Sequence, residues 1–379
     1  MLSLVTDPHQ RLCSNSCVGV ARTCRNRGAE GGSSPVVVAD FDAFSDTGAV
    51  GAPELTTAKK GERFFEVFVD AVGAVLERLH ERGGEGKPTS RNPFAGRRRP
   101  VGMDGSEEPL ADREWRLIRE EAWSGAMNMA LDEVAAETAA AGGPRTLRVY
   151  RWEPSTLSLG YRQDPDTVDW DYCEREGIGV TRRPTGGGGI YHDSRGDISY
   201  TVVAPADELP GDLVESYHLL CVPILDAFER MGVPARFAET ERPAAHQPAC
   251  YLRELHPAHD VVVATAGTER KVSGNAQHRR TDAVVQHGSL TYAVRPERHL
   301  AVFADAGVTP AAFRERVTGV ADHADVSRSD GVERLEAALA DWADATEGAW
   351  TDDELERARE LAEEKYASDG WTRRRPGRR

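Results

Sequence analysis

The sequence is short of lysine, of closely paired cysteines and of long apolar runs, and each shortage excludes a class of protein. Only five of the 379 residues are lysine, although 47 are lysine or arginine. The six cysteines form no CxxC pair, so neither a disulfide framework nor a paired-cysteine zinc site is predicted. No run reaches the about 18 apolar residues that a membrane helix needs, and the first residues lack the layout of a secretory signal. These shortages favour a cytoplasmic protein without a membrane partner.

Carboxylates are in excess throughout most of the chain. It contains 62 acidic and 47 basic residues, which gives a net charge of −15. Neutralisation of phosphates dominates the affinity of proteins for nucleic acids, so a nucleic-acid partner is not expected. Hydrophobic residues make up 40% of the chain and charged residues 29%, a balance that supports a packed core and excludes a mostly disordered protein.

The first hundred residues differ in composition from the rest. Residues 1–102 contain 14 Lys/Arg and 12 Asp/Glu, whereas the remaining chain contains 33 and 50. The stretch 83–102 is rich in Gly, Pro and Arg and is typical of a linker. We therefore predict an N-terminal extension (1–102) without an assigned function, a central domain over 103–300 and a helical C-terminal segment over 301–379. Disorder and a misplaced translation start are the two simple explanations of the extension.

Periodicity after residue 114 predicts an α+β domain. Ser124 is a candidate N-cap for one helix, a second helix spans Leu213–Met231 before Gly232, and Thr351 with Glu354 forms a capping box for a third. Strands are predicted at 146–151, 156–161, 178–183, 198–203, 260–264, 270–273 and 284–294. Because strands outnumber helices and several follow one another directly, a mixed or antiparallel sheet flanked by helices is favoured over regular βαβ winding.

Four consecutive glycines interrupt the strands within the segment RRPTGGGGIYHD, residues 182–193. Glycine costs backbone entropy there and adds no packing, so close approach of the backbone to a ligand is one reason to keep the run. Free N–H groups can form an anion-binding concavity, and Arg182 and Arg183 can hold a phosphate or carboxylate beside it. The segment is neither a Walker loop nor a GxGxxG motif. A flexible hairpin connection is the alternative interpretation.

A single lysine marks the segment RKVSGNAQ, because Lys271 is the only lysine between residues 88 and 364. Since arginine supplies positive charge nearly everywhere else, this lysine indicates a need for a compact charge with rotatable donors. A surface lysine without a role is the alternative. In the later segment QHGSL, His287 stands beside Gly288, a pair that suggests a bulge or close backbone approach, although a packed histidine is the commoner outcome.

Cys250 lies in the polar segment PACYLRELHPAHD, close in sequence to several histidines. A free cysteine is usually a small buried hydrophobe, but a neighbouring histidine or lysine can lower the pKa of a thiol and make it a nucleophile. Both interpretations stay open for Cys250. Cys173 and Cys221 lie in apolar helical patterns and are predicted to be core residues.

Taken together, these motifs resemble the biotin/lipoate protein ligase superfamily, and most of all lipoate–protein ligase A. The motifs that carry the resemblance are SGAMNMALDE (124–133), TLSLGYRQ (156–163), RRPTGGGGIYHD (182–193), KVSGNAQ (271–277), HGSL (287–290) and the tail KYASDGW (365–371). The resemblance implies a mixed sheet flanked by helices, akin to the catalytic domains of class II synthetases, and makes 103–300 a ligase-like catalytic domain.

The resemblance implies a lipoate–protein ligase as the expected activity. Such an enzyme activates lipoate or octanoate with ATP to acyl-AMP and then transfers the acyl group to a lysine of a lipoyl domain or glycine-cleavage H protein. ATP and Mg²⁺ are the expected cofactors, Lys271 is the expected catalytic residue, and no metal ligand is assigned. The implied cofactor-binding residues are Arg182, Arg183, Thr185, Gly186, Gly187, Gly188, Gly189, Ile190, Tyr191 and Lys271.

Two other activities fit the same resemblance. Cysteine-dependent octanoyltransferases of the superfamily carry the acyl group on a cysteine near the position of Cys250, take octanoate from an acyl carrier protein or another protein-bound donor, and use no ATP. Their loop tends to have arginine where this chain has Gly188, which favours the ligase. A non-catalytic accessory subunit of the same fold is the other alternative. A separate chain that supplies an accessory domain to this one is also left open.

Overall fold

The computed structural model describes residues 114–265, 267–305 and 307–374. The predicted N-terminal extension therefore lies outside the described residues. The strands are β1 Trp115–Trp123, β2 Arg145–Trp152, β3 Thr156–Leu159, β4 Gly179–Arg182, β5 Ile190–His192, β6 Asp197–Pro205, β7 Ala235–Phe237, β8 Val261–Thr265, β9 Thr268–Arg279, β10 Ala283–Thr291 and β11 Thr346–Glu347. The helices are α1 Gly125–Ala140, α2 Trp170–Arg175, α3 Leu213–Met231, α4 Pro296–Ala301, α5 Pro310–Arg314, α6 Arg328–Ala343, α7 Asp352–Leu361 and α8 Asp369–Thr372.

The strands form two sheets, and both are mixed. The larger sheet has the order β11-β1-β2-β6-β10-β9-β8-β7, with β1 parallel to both of its neighbours and antiparallel pairing elsewhere. The smaller sheet has the order β4-β3-β5. The prediction of an α+β domain with a mixed sheet flanked by helices is confirmed.

Local sequence signals mark where the helices begin and end, as predicted. The Ser124 side chain accepts a hydrogen bond from the Met127 N–H at 3.3 Å and begins α1. Helix α3 spans Leu213–Met231 as predicted, and Gly232 ends it in the left-handed conformation with φ of 79°, which costs glycine less than other residues. No helix within the described ranges is long and apolar enough to cross a membrane.

Helices cover both faces of the larger sheet. The side chains of α3 and α6 pack with the sheet in one apolar cluster that includes Phe228 and Leu339, both fully buried. Those of α1 and α7 pack on the opposite face in a second cluster that includes Leu131 and Ala358. A third cluster joins the smaller sheet to α4 and α5.

One strand is longer than its pattern predicts. Strand β9 runs over Thr268–Arg279 rather than 270–273, because it pairs with β8 in its first half and with β10 in its second half.

Strand β3 is shorter than predicted and ends at Leu159, two residues before the predicted end. Gly160 follows it, and the loop after β4 approaches that residue so closely that a Cβ on Gly160 would lie 1.9 Å from the Gly187 carbonyl oxygen.

The predicted capping box of α7 is confirmed, and it also holds a buried ion pair. Glu354 accepts two hydrogen bonds from Arg116, at 2.8 and 2.6 Å, besides its bonds to Thr351. Burial raises the pKa of Glu354, but the bonds from Arg116, the Thr351 backbone and Thr138 outweigh it and lower that pKa to about 2. The pair links β1 to α7 across the sheet face.

Replacing Arg116 with methionine is expected to lower the free energy of unfolding by about 3 kcal/mol, because it leaves a buried carboxylate without its partner. Because folding lowers the pKa of Glu354, the ion pair stabilises the protein fully above the usual pKa of a glutamate. That stabilisation is lost as the pH falls toward about 2. Urea denaturation at pH 7 and pH 3 measures both effects. Arg116→Met with Glu354→Gln is the matched control and should recover much of the loss; an unchanged stability in the single variant would contradict the ion pair.

Candidate active site

The glycine run forms a tightly packed loop, here called the glycine loop (residues 183–189), between β4 and β5. Gly187 adopts a φ of 94°, which favours glycine, and a Cβ there would lie 2.9 Å from the Arg183 Nη2 atom. A Cβ on Gly188 would meet three backbone atoms of residues 247–250 within 3.0 Å. Gly187 is thus required by its positive φ and Gly188 by close backbone approach, which excludes a merely flexible connection.

Arg183 fixes the shape of the glycine loop from beneath. Its guanidinium donates to the carbonyl oxygens of Gly186 and Gly188 at 2.8 and 2.7 Å, to that of Ser158 at 2.8 Å, and to the Thr185 hydroxyl at 3.0 Å. The side chain is buried, and burial lowers its pKa. These contacts differ from the predicted role, because the donors expected to hold a ligand's phosphate or carboxylate hold the loop's own carbonyl groups.

With the carbonyl groups drawn inward, several N–H groups of the loop are left for a ligand. Within the described part of the chain, the N–H groups of Gly186, Gly187 and Gly188 have no hydrogen-bond partner, whereas that of Gly189 donates to the Pro248 carbonyl at 2.6 Å. Adjacent backbone N–H groups with this freedom suit an anion or a developing oxyanion.

Arg182 faces away from the loop and holds the C-terminal tail. Its guanidinium donates to the carbonyl oxygens of five residues, at 2.7 to 3.2 Å: Gly160, Tyr161, Gln163, Trp371 and Thr372. The Trp371 indole N–H donates back to the Arg182 carbonyl at 2.7 Å. Arg182 is fully buried, so this contact set also differs from the predicted role in ligand binding.

A first Asp–His pair supports Arg183 through Ser158. The Ser158 hydroxyl lies 3.0 Å from the His192 Nε2 atom, and the His192 Nδ1 atom lies 2.5 Å from an Asp197 carboxylate oxygen. The ring of His192 also stacks on Trp152 with centroids 4.1 Å apart. Burial is the main cause of a lowered pKa at His192, and the Asp197 contact opposes it. The pair therefore fixes the residue whose carbonyl accepts from Arg183.

A second Asp–His pair supports the same arginine from the other side, through Thr185. The Thr185 hydroxyl lies 2.8 Å from the His287 Nε2 atom, and the His287 Nδ1 atom lies 3.4 Å from Asp132 of α1. Asp132 in turn pairs with Arg148 at 2.9 Å. The structure thus places His287 in a buried polar chain, which is the commoner outcome for such a histidine.

Cys250 lies directly against the glycine loop. It belongs to the segment between β7 and β8, here called the Cys250 loop (residues 238–260), and begins a short 3-10 turn. Its N–H donates to the Gly189 carbonyl at 2.9 Å, and Ala249 forms a parallel bridge with Gly189. The thiol is half-buried, unlike the buried thiols of Cys173 and Cys221.

Gly188→Ala is expected to lower the rate of the site's reaction by about 100-fold, since a displacement of 1 Å at a reacting group costs that much. The added methyl would lie 2.7 Å from the Pro248 carbonyl oxygen and 2.9 Å from the Cys250 nitrogen, both of which are backbone atoms that cannot rotate away. Gly186→Ala is the matched variant, because nothing lies within 4 Å of its Cβ. Steady-state rates of both variants test the expectation, which equal losses would contradict.

Lys271 is a buried cation paired with a buried carboxylate. Its ammonium nitrogen lies 2.6 Å from an Asp260 oxygen, and the two side chains are 7% and 1% exposed. Burial lowers the pKa of Lys271, but Asp260 and then Cys250 raise it, and the net shift is upward; the pKa of Asp260 is held well below its usual range by Lys271 and His259 against the effect of burial. Lys271 is therefore an ammonium at neutral pH.

The hairpin of β8 and β9 brings this pair together. Asp260 directly precedes β8, and an irregularity beside Val261 shifts the register so that Val262 stands opposite Lys271. Asn275, four residues beyond the lysine, donates to the His259 carbonyl at 3.1 Å and fixes the approach to Asp260. The segment KVSGNAQ therefore supplies both the cation and a contact that positions its carboxylate.

These features assemble three of the predicted groups at one place. Cys250 contacts the glycine loop and is close enough to Lys271 to raise its pKa. The remaining predicted residues, Ile190 and Tyr191, lie on β5, where the Tyr191 ring packs in the third apolar cluster. Among the described residues, no group of three or more His, Cys, Asp or Glu side chains could hold a metal ion.

The polar partners of the site were not predicted. Asp260 was predicted only as the first residue of a strand (260–264), and no role was predicted for Asp132, Asp197 or Ser158. A signal existed for Asp260, because an acidic residue just before a predicted strand stands close to the following strand of a hairpin. The other three gave no local signal, because their partners are between five and 155 residues away in the sequence.

Comparison with known proteins gives a family for this architecture. The model of the lipoyl protein ligase A/B catalytic domain matches residues 124–340. The octanoyltransferase LipM of Kyrpidia tusciae is 32% identical over 283 residues, which cover 69% of this chain and 99% of that protein. The LipM of Brevibacillus brevis is 29% identical over 282 residues, with coverages of 69% and 99%.

A solved structure has the same fold. The bipartite lipoate protein ligase of Thermoplasma acidophilum, described with its E2 lipoyl domain, aligns with a TM-score of 0.59 at 26% identity and covers 70% of this chain and 99% of its own. The expected superfamily and fold are confirmed. The prediction of an ATP-dependent lipoate–protein ligase as the activity is wrong, because the curated relatives that span the chain carry the name of an octanoyltransferase, as the Cys250 alternative expected.

Proposed function

Because the chain belongs to the lipoyl protein ligase A/B catalytic domain family, we propose that it is an octanoyltransferase that carries the acyl group on Cys250. One observation carries the proposal: Cys250 is partly exposed, its backbone N–H bonds to Gly189 of the glycine loop, and it lies near enough to Lys271 to raise the pKa of that ammonium. A nucleophilic cysteine needs access together with a nearby cation, and this is the one described cysteine with both.

In the first step, the Cys250 thiolate attacks the carbonyl carbon of a thioester donor. A bond forms between the Cys250 sulfur and the acyl carbon, the bond from that carbon to the donor sulfur breaks, and the proton lost from Cys250 ends on the departing thiol. Negative charge develops on the carbonyl oxygen, and the free N–H groups of Gly186, Gly187 and Gly188 are candidates to stabilise it.

In the second step, the ε-amine of an acceptor lysine attacks the Cys250 thioester. An amide bond forms, the bond to the Cys250 sulfur breaks, and the proton released by the amine compensates the departing thiolate. The reaction needs no outside energy source, because a thioester is replaced by a more stable amide. The acceptor lysine must react as an uncharged amine, because a protonated amine has no lone pair to attack with. The positive charge of Lys271 favours this uncharged form, because it repels a second ammonium.

Lys271 acts in this scheme as a fixed positive charge. Its raised pKa keeps it protonated at neutral pH, so it supplies a positive charge to the developing oxyanion rather than accepting a proton. Asp260 holds the ammonium at 2.6 Å and keeps one rotamer in place. The charge is therefore organised before substrate arrives.

Donor and acceptor follow from the same proposal. The relatives' name and the resemblance support an octanoyl group delivered by an acyl carrier protein, and a lysine of a lipoyl domain or glycine-cleavage H protein as acceptor. The expected ATP and Mg²⁺ stay an untested prediction, and no step above uses them. The donors of Arg182 and Arg183 that were assigned to a nucleotide hold the protein's own backbone.

The test is transfer to a lipoyl domain from two sources. The full chain is incubated with octanoyl-acyl carrier protein without ATP, and separately with free octanoate, ATP and Mg²⁺; mass spectrometry of the acceptor measures octanoylation. The proposal predicts transfer in the first reaction. Transfer only in the second would overturn it.

A further inference from the structure

Four cations surround a small cavity beside the candidate active site. The cavity is lined by Arg242, Arg253, Arg316 and Lys271, and the three arginine side chains are half-buried. Tyr251, the residue after Cys250, lines it too. Positive charge gathered in this way is unexpected in a chain whose net charge is −15, and two of the lining residues, Tyr251 and Lys271, tie it to the neighbourhood of Cys250.

Two of these arginines connect the Cys250 loop to the segment after α5 by reciprocal contacts. Arg242 donates to the Glu315 carbonyl at 3.4 Å, and Arg316 donates to the Pro243 carbonyl at 2.7 Å. Each contact uses one of the five donors of a guanidinium. Neither arginine has a carboxylate within 4.0 Å among the described residues, so the charge of each guanidinium is not offset by an ion pair.

The two carboxylates that line the cavity pair with residues other than Arg242 and Arg316. Glu254 accepts from Gln247 at 2.6 Å and pairs with Arg253, itself a lining residue, at 3.5 Å. Glu269 pairs with Arg236 at 2.7 Å. Arg242 and Arg316 are therefore not neutralised by a carboxylate. Burial and then the positive charge of Arg242 lower the pKa of Arg316, which shows that the two guanidinium groups repel each other. Like charges held this close destabilise the empty site, and an anion would relieve that repulsion.

We propose that Arg242, Arg253 and Arg316 bind the phosphodiester of the donor's phosphopantetheine arm. The inference rests on the proposed function, since a carrier-bound thioester reaches Cys250 on such an arm. Arginine suits the ligand because its planar fork pairs with phosphate oxygens. An acidic patch on the carrier protein is the competing occupant, and the experiment below separates the two by using donors without any protein.

The experiment compares two small donors, octanoyl-phosphopantetheine and octanoyl-pantetheine, which differ only in the phosphate. The full chain and the variants Arg242→Gln, Arg253→Gln and Arg316→Gln are assayed for transfer to a lipoyl domain. Arg334→Gln is the matched control, because Arg334 also donates to a single carbonyl, that of Arg230 at 2.8 Å, but does not line the cavity.

The unaltered chain should prefer the phosphorylated donor in kcat/KM. Each of the three variants should lose about tenfold of that value with this donor, as expected for a hydrogen bond between charged groups, and keep it with octanoyl-pantetheine; the control should change neither. Equal losses of kcat/KM with both donors would show that the arginines only hold the two segments together. No loss with either donor would indicate that the arginines bind the carrier protein's surface instead. Either result would contradict the phosphodiester site. No transfer from either donor by the unaltered chain would instead contradict the proposed function itself.

Discussion

Replacing Cys250 with serine is expected to lower octanoyl transfer by about 10³-fold or more, to the residual level left when a nucleophile is removed. A hydroxyl is far less acidic than a thiol, so the Lys271 ammonium cannot produce a comparable nucleophile from it. The backbone contact with Gly189 at 2.9 Å involves only the N–H of residue 250, so the substitution should leave the loop in place. Steady-state transfer from octanoyl-acyl carrier protein measures the loss.

Cys221→Ser provides the control for this prediction. The Cys221 thiol is fully buried, burial raises its pKa to about 12, and it accepts a contact from Gln286 at 3.5 Å. It cannot form a thiolate at neutral pH, so its replacement should leave the rate close to that of the unaltered chain. A Cys250→Ser variant that keeps its rate would exclude acyl transfer through this residue.

Lys271→Met is expected to lower the transfer rate by about 10²- to 10³-fold, the loss that follows removal of one preorganised donor to an oxyanion. It should also destabilise the fold, because Asp260 is 1% exposed and would lose the ammonium 2.6 Å away. In the unaltered chain the pKa of Asp260 is lowered and that of Lys271 is raised. The pair therefore stabilises the protein across neutral pH and is lost only in acid or strong alkali.

A second variant separates the two effects of Lys271. Lys271→Met combined with Asp260→Asn removes the unpaired charge and should regain most of the lost thermal stability without regaining activity. Thermal unfolding and transfer rates are measured on both variants. If activity returned together with stability, Lys271 would be a structural residue and the assigned role in catalysis would be contradicted.

The helices of this fold are predictable from sequence because their ends are marked locally. Ser124 and the Thr351–Glu354 capping box begin two helices, and Gly232 ends a third at the predicted residue. Each of these signals depends on residues within one turn of one another, so no knowledge of the fold is needed. The full length of β9 was missed because its second half depends on pairing with β10.

The roles of Arg182 and Arg183 show where such reasoning stops. The two residues are adjacent in sequence and look alike, yet one holds the tail at Trp371 and the other holds the glycine loop at Gly188. Successive residues leaving a strand point in opposite directions, so their partners depend on what the tertiary fold places on each side. The glycine loop was recognised from composition and Arg183 was noted beside it, but no local pattern reveals that this arginine donates to the loop's own carbonyl oxygens.

The activity was misjudged for a related reason. The glycine and lysine motifs occur in both the ligases and the octanoyltransferases that this chain resembles, so they identify the superfamily without separating its reactions. The residue that separates them in the proposal is Cys250, which lies in the irregular segment between β7 and β8. Its position against Gly189 depends on a bridge between segments 60 residues apart, Gly189 with Ala249, which a local pattern cannot predict.

A covalent bond between Cys250 and the acyl group would be visible by intact mass spectrometry. The full chain is mixed with octanoyl-acyl carrier protein in the absence of ATP and of any acceptor, and then digested for peptide mapping. We expect a gain of one octanoyl group that maps to Cys250, is removed by hydroxylamine and disappears when lipoyl domain is added. An unmodified protein that nevertheless octanoylates the acceptor, or an adduct at another residue, would contradict transfer through Cys250.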